Sequence, residues 1–168
     1  MRLFIAINLS PQMKAALTGA QRTMFGRGVR GSYTPEENLH LTLAFIGEYP
    51  SAETVMDALS GVSFTPFELA LDGVGRFGDL WWAGLRESAA LTAVVRRIRR
   101  ALAANEIPFD RKRFSPHITL LRRATREAAG IPIRPASMTV RTVSLMSSRR
   151  GRNGMIYTEI GAIEADSV

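Results

Sequence analysis

The chain contains two histidines, and both stand in the same setting. His40-Leu41-Thr42-Leu43 and His117-Ile118-Thr119-Leu120 each read His-x-Thr-Leu. With 12 threonines and 16 leucines among 168 residues, two such matches by accident have odds on the order of one in twenty thousand. An imidazole titrates near neutral pH, so one can be neutral while its partner is protonated. A base and an acid on opposite sides of a phosphorus atom permit in-line displacement. Threonine hydroxyls between them can donate to non-bridging oxygens. A lone histidine on an apolar strand is more often a hydrogen-bonded core residue; the repeat of the motif argues for a site.

The elements that must position these groups follow from periodicity. On a strand, side chains alternate faces with a period of two. His40 and Thr42 therefore share one face while Leu41 and Leu43 share the other, and His117 and Thr119 stand likewise against Ile118 and Leu120. The pattern predicts strands over 3–9, 39–46, 65–72, 80–85, 116–122, 137–146 and 155–163. Helices are predicted over 11–25, from Ser51 through Leu59, and over 89–104, where Leu91, Val94, Val95, Ile98 and Leu102 form one apolar stripe. Gly73–Gly78 reads as a glycine-rich turn and Ser147–Gly154 as a hairpin loop. This order predicts an α+β fold of largely antiparallel sheet rather than a doubly wound one. Strand, helix and histidine-bearing strand occur twice, at 3–46 and at 80–122. That echo predicts one domain over residues 1–168, made of two similar lobes with helices outside and a central cleft.

Composition bounds the rest. The chain has no cysteine, which excludes disulfide scaffolds, thiol nucleophiles and iron–sulfur clusters. Two histidines supply no multi-histidine metal cage, so no such metal site is expected. No apolar run approaches the ~20 residues of a membrane span, and 3–9 is too short for a signal peptide. A cytoplasmic monomer without membrane contact is the expectation. The net charge is +7, and of 22 basic residues only Lys14 and Lys112 are lysine. Arginine forks onto phosphate as lysine cannot, although a GC-biased genome gives the same composition. Trp81 and Trp82 put one ring on each face of their strand. The Arg96–Arg100 cluster reads as a solvated helix face. Arg149 and Arg150, on an exposed loop, are candidates for contact with a polyanion backbone.

The longer contexts, Glu37–Glu48 and Phe114–Arg122, together with the opening Arg2–Ile7 and the stretch Ser144–Ile160, resemble the RNA 2′,3′-cyclic phosphodiesterase family. This is also called the 2′-5′ RNA ligase family, within the two-histidine (2H) phosphoesterase superfamily. The resemblance spans nearly the whole chain. It implies opening of a 2′,3′-cyclic phosphate at an RNA end, tRNA fragments among them, to a 2′-phosphate, without metal or nucleotide. It implies His40 as acid and His117 as base, with the two roles exchangeable, and Thr42, Thr119 and Arg122 as phosphate ligands. Run in reverse with a 5′-hydroxyl, the same step joins RNA ends 2′-5′ without ATP. Perfect alternation would put Arg123 rather than Arg122 on the His117 face, so the resemblance requires a bulge or the strand end before it. Phe45 is a core residue by composition and a base-stacking contact by position. Two other readings stay open: a phosphodiesterase for a small cyclic phosphate such as a nucleotide or an ADP-ribose derivative, and a non-catalytic module that binds RNA ends.

Overall fold

A computed structural model describes residues 1–127 and 130–167. Its elements run β1 (Arg2–Asn8), α1 (Pro11–Gly26), β2 (Ser32–Tyr33), a 3₁₀ turn (Glu36–Asn38), β3 (His40–Glu48), α2 (Ala52–Leu59), β4 (Phe67–Phe77), β5 (Leu80–Leu85), α3 (Ala89–Ala104), β6 (Ile118–Arg122), β7 (Ser137–Val140), β8 (Thr142–Gly151) and β9 (Gly154–Glu164). The fold is α+β. All three helices start on a serine N-cap: Ser10, Ser51 and Ser88 accept from the backbone N–H of Met13, Thr54 and Leu91. Each side chain thereby satisfies one of the orphan donors of a first turn.

The strands form two antiparallel sheets, ordered β3-β1-β8-β9 and β2-β6-β5-β4-β7. The echo in the sequence becomes an echo in pairing, because β1 pairs with β3 as β5 pairs with β6. The lobes are not halves of the chain, however. The first sheet takes β1, β3, β8 and β9, while β2 and β4–β7 belong to the second. Helix α1, which follows β1, packs on β6 and β7 of the other sheet, and α3 touches β3. A single apolar cluster runs through both units, from Leu3, Ile5 and Ile7 to Ile118, Leu120 and Leu121. The sheets meet where β3, an edge strand, passes β6.

Several predicted boundaries shift, each for a physical reason. Strand β4 continues through the predicted glycine turn, and only Gly78-Asp79 turns the chain. Gly73, at φ +74°, sits in a bulge opposite β5. At Gly75 a Cβ would lie 2.3 Å from the Trp82 indole, so this glycine makes room for a ring. The predicted strand 137–146 is two strands that break at Arg141, β7 closing one sheet and β8 entering the other. The predicted loop Ser147–Gly154 is mostly strand: Ser147, Ser148, Arg149 and Arg150 pair with Thr158, Tyr157, Ile156 and Met155. Polar residues there gain ladder hydrogen bonds that period-two hydrophobicity does not reveal. Strand β6 starts at Ile118, since Pro116 has no N–H to give a ladder.

Candidate active site

Strands β3 and β6 present their motifs in matching ways. In each, the residue after the threonine is the extra residue of a bulge. Ala6 and Ile5 of β1 face Thr42 and Ala44, which leaves Leu43 over, and Trp82 and Trp81 of β5 face Thr119 and Leu121, which leaves Leu120 over. Leu43 and Ala44 are both buried, as are Leu120 and Leu121. The bulge resets the alternation, so the fifth residue after each histidine returns to the histidine face. That residue is Phe45 on β3 and Arg122 on β6. The bulge that Arg122 required is therefore present, and Arg122 lines the cavity while Arg123 turns away at φ +56° to donate to Ser32 Oγ. Gly31 holds this end in place. A Cβ on it would lie 2.6 Å from the Arg122 carbonyl oxygen and 2.8 Å from that of Arg123.

His40, Thr42, Phe45, His117, Thr119 and Arg122 line one cavity of about 430 Å³. Both imidazoles are tied in the same way. His40 Nδ1 lies 2.7 Å from the Asn38 carbonyl oxygen, and His117 Nδ1 lies 2.7 Å from that of Ser115. A carbonyl only accepts, so each Nδ1 carries a proton and each neutral ring keeps Nε2 as its basic atom. His40 Nε2 meets Thr42 Oγ1 at 2.9 Å. The surroundings differ. His40 packs against Phe4 and Tyr157 at ring separations of 5.1 and 5.3 Å. Burial pushes its pKa below the ordinary histidine value, the Asn38 hydrogen bond opposes that, and the Arg122 guanidinium adds to it. His117 meets the edge of Phe77 at 5.6 Å, and Phe77 is 52% exposed.

The remaining candidates separate. Phe45 is half-buried, packs beside Phe4, Ala6 and Met146, and faces the cavity with Arg2 Cζ 4.9 Å above its ring. It is thus a wall of the site rather than core. Arg149 and Arg150 lie on β8 and not on a loop, and neither lines the cavity. Of the two, only Arg150 shares a face with the cavity residues Ser148 and Met155. Trp81 is core, and Trp82 shares the face of its partner Thr119. Arg2, Asn38 and Tyr157 also line the cavity, unforeseen from the sequence. Period two placed Arg2 on the face of Phe4, which was the available signal. Asn38 anchors its 3₁₀ turn to the β8–β9 hairpin, donating to Met155 O at 2.9 Å. Among the described residues no three His, Asp or Glu side chains converge to hold a metal ion.

Comparison with known proteins bears on this geometry. Residues 12–152 match the 2'-5' RNA ligase superfamily. This chain belongs to that superfamily. Its relatives include the RNA 2′,3′-cyclic phosphodiesterase of Geobacillus stearothermophilus, 32% identical over 144 residues, which cover 80% of this chain and 45% of that protein. The chain therefore spans less than half the length of that relative. The enzyme of the same name from Escherichia coli is 36% identical over 136 residues, 78% of this chain and 76% of its own. The crystal structure of E. coli LigT complexed with 3′-AMP superposes with a TM-score of 0.85 at 30% identity, over 99% of this chain and 98% of that one. At that TM-score the two chains share the α+β fold described above.

Proposed function

We propose that this member of the 2′-5′ RNA ligase superfamily is an RNA 2′,3′-cyclic phosphodiesterase that leaves a 2′-phosphate. The observation that carries the reading is the pair of Nδ1-anchored imidazoles, His40 and His117, lining one cavity with Arg122. The names of the curated relatives support the activity. A LigT structure holding 3′-AMP supports a nucleotide phosphate as occupant.

In the proposed step His117 Nε2 takes a proton from water as the water oxygen attacks phosphorus. The P–O3′ bond breaks in line, and His40 Nε2–H protonates the departing O3′. Thr42, Thr119 and Arg122 hold the non-bridging oxygens, where charge gathers in the transition state. The lowered pKa of His40 makes its imidazolium a stronger acid than an ordinary histidine, and the bound phosphate anion offsets the Arg122 charge that opposes protonation. Read backwards, with an RNA 5′-hydroxyl in place of water, the same groups join ends without ATP. Acid–base work of this kind needs no metal.

The test is turnover in EDTA of a short 5′-labelled RNA ending in a 2′,3′-cyclic phosphate, beside His40→Ala and His117→Ala. A 2′-monoester formed by the wild type alone is expected. A 3′-monoester, or equal turnover by both variants, would overturn the mechanism. Turnover of small cyclic phosphates with no response to RNA length or salt would move the substrate to that class. Binding without turnover would make the protein an RNA-end binder.

A further inference from the structure

The cavity does not end at His117. A second hollow of about 450 Å³ shares Thr42, Phe45 and His117 with it and is walled by Phe77, Asp110 and residues 112–115. That hollow shares Arg99, Arg113 and Phe114 with a groove of about 650 Å³ between α3 and the segment after it. The groove carries Arg96, Arg99, Arg100, Arg111 and Arg113 against one carboxylate, that of Glu87. Neither of the two ion pairs seen among the described residues involves it.

Arg99 has a structural duty at the junction. It donates to Lys112 O at 2.7 Å and reaches Leu43 O of β3 at 3.5 Å. The other four arginines are exposed. Arg111 lies 4.7 Å over the Phe109 ring, and the half-buried Phe114 stands beside it in the lining. Exposed guanidinium forks, one of them backed by an aromatic ring, suit a single strand, with its phosphates on the arginines and its bases beside the rings.

We propose that the RNA strand 5′ to the cyclic end leaves the cavity past His117 and Phe77 and lays its backbone in the groove of Arg96, Arg100, Arg111 and Arg113. This rests on the cyclic phosphodiesterase reading. The cyclic phosphate sits on the last ribose, so the whole strand departs on one side, through that ribose's O5′. The competing exit is the β8–β9 hairpin tip. There Arg149 and Arg150 stand on opposite faces of a ribbon, and neither lines the cavity.

The test compares kcat/KM for a 2′,3′-cyclic mononucleotide and for a ten-nucleotide RNA with the same 3′ end, across a salt series. The variant is Arg96→Glu/Arg100→Glu/Arg111→Glu, with Arg149→Glu/Arg150→Glu as the control. Wild type is expected to prefer the oligomer and to lose that preference as salt rises. The triple variant should lose roughly tenfold or more on the oligomer, keep its mononucleotide rate, and flatten the log–log salt slope by about 2. The control should keep the oligomer rate. If the triple variant is slow on both substrates, Arg100→Gln/Arg111→Gln must show the oligomer-only loss. An unchanged oligomer rate in these variants, or a loss confined to the control, overturns the proposal. So does a wild type that favours the mononucleotide, although the chemistry then stands. A wild type that turns over neither substrate fells the phosphodiesterase reading itself.

Discussion

From two residues before each histidine to five after it, the β3 and β6 segments can be laid side by side. Each imidazole gives its Nδ1 proton to the carbonyl two residues earlier. Each strand bulges at the leucine after the threonine, and each returns its fifth residue to the site. What differs is the surroundings. Thr42 lies opposite Ala6 and Thr119 opposite Trp82. The fifth residue is an aromatic ring on one side and a guanidinium on the other. His40 is enclosed by Phe4 and Tyr157, while His117 opens toward Phe77. In the proposed mechanism, one backbone plan, used twice, serves as a near-symmetric grip on a phosphate. The unlike neighbours then break the symmetry, which two groups with opposite proton duties need.

The sharpest break in the shared plan is removal of an imidazole. His40→Ala or His117→Ala should each lower kcat by 10²–10⁴-fold in a cyclic phosphate assay. Melting temperatures should be close to wild type, because both rings face the cavity rather than the core. Next comes the unlike pair. Arg122→Ala should cost roughly 10–100-fold in kcat/KM, as expected for losing a charged hydrogen bond. Phe45→Ala should cost less, about tenfold, and chiefly in KM, as a stacking contact does. Equal losses at the two positions would show that they are not functionally distinct. Gly31→Ala pushes a Cβ against the Arg122 and Arg123 carbonyls. It should destabilise by about 1–3 kcal/mol, read by urea unfolding, and lower kcat/KM severalfold through displacement of Arg122.

The smallest effect is the most direct reading of the asymmetry. With two histidines in the chain, the His40 imidazole can be assigned and titrated by NMR. Its titration should lie below pH 6.5, because burial and Arg122 disfavour its charged form. Arg122→Gln should raise it. The sign for stability follows. A histidine whose folded pKa is depressed binds protons better when unfolded, so its contribution is intact above pH 6.5 and lost as pH falls from there through the folded value. In the rate profile, an acid of lowered pKa sets the alkaline limb of kcat/KM below pH 6.5 in the free enzyme.

Much of this was legible because strand chemistry is local. The two motifs needed only a period of two and a composition argument. The α3 stripe needed only spacing and residue type. What was hidden depends on partners far along the chain. The leucine bulges are invisible until β1 and β5 fix what faces them, and they decide that Phe45 and Arg122 reach the cavity. Gly73 and Gly75 looked like a turn because glycine marks turns, yet one serves a bulge and the other an indole. Arg149 and Arg150 looked like loop because charge usually marks solvent, and β9 makes them strand. The interleaving of the lobes was hidden for the same reason. An order of elements is a one-dimensional fact, and sheet membership is not.

That interleaving has a mechanical side. Each sheet takes strands from both ends of one chain or from its long middle, and one apolar cluster joins them. A cut at the Gly78-Asp79 turn, between the two histidines, would leave β1–β4 in one fragment and β5–β9 in the other, so that both sheets are divided. Neither piece would own a sheet, so neither should fold alone, and mixing the two is the only way to recover a site. The spacing between the two imidazoles is accordingly not set by a hinge. It is inherited from the cooperative folding of the whole chain, and activity should vanish in denaturant together with the last of the native protein rather than ahead of it.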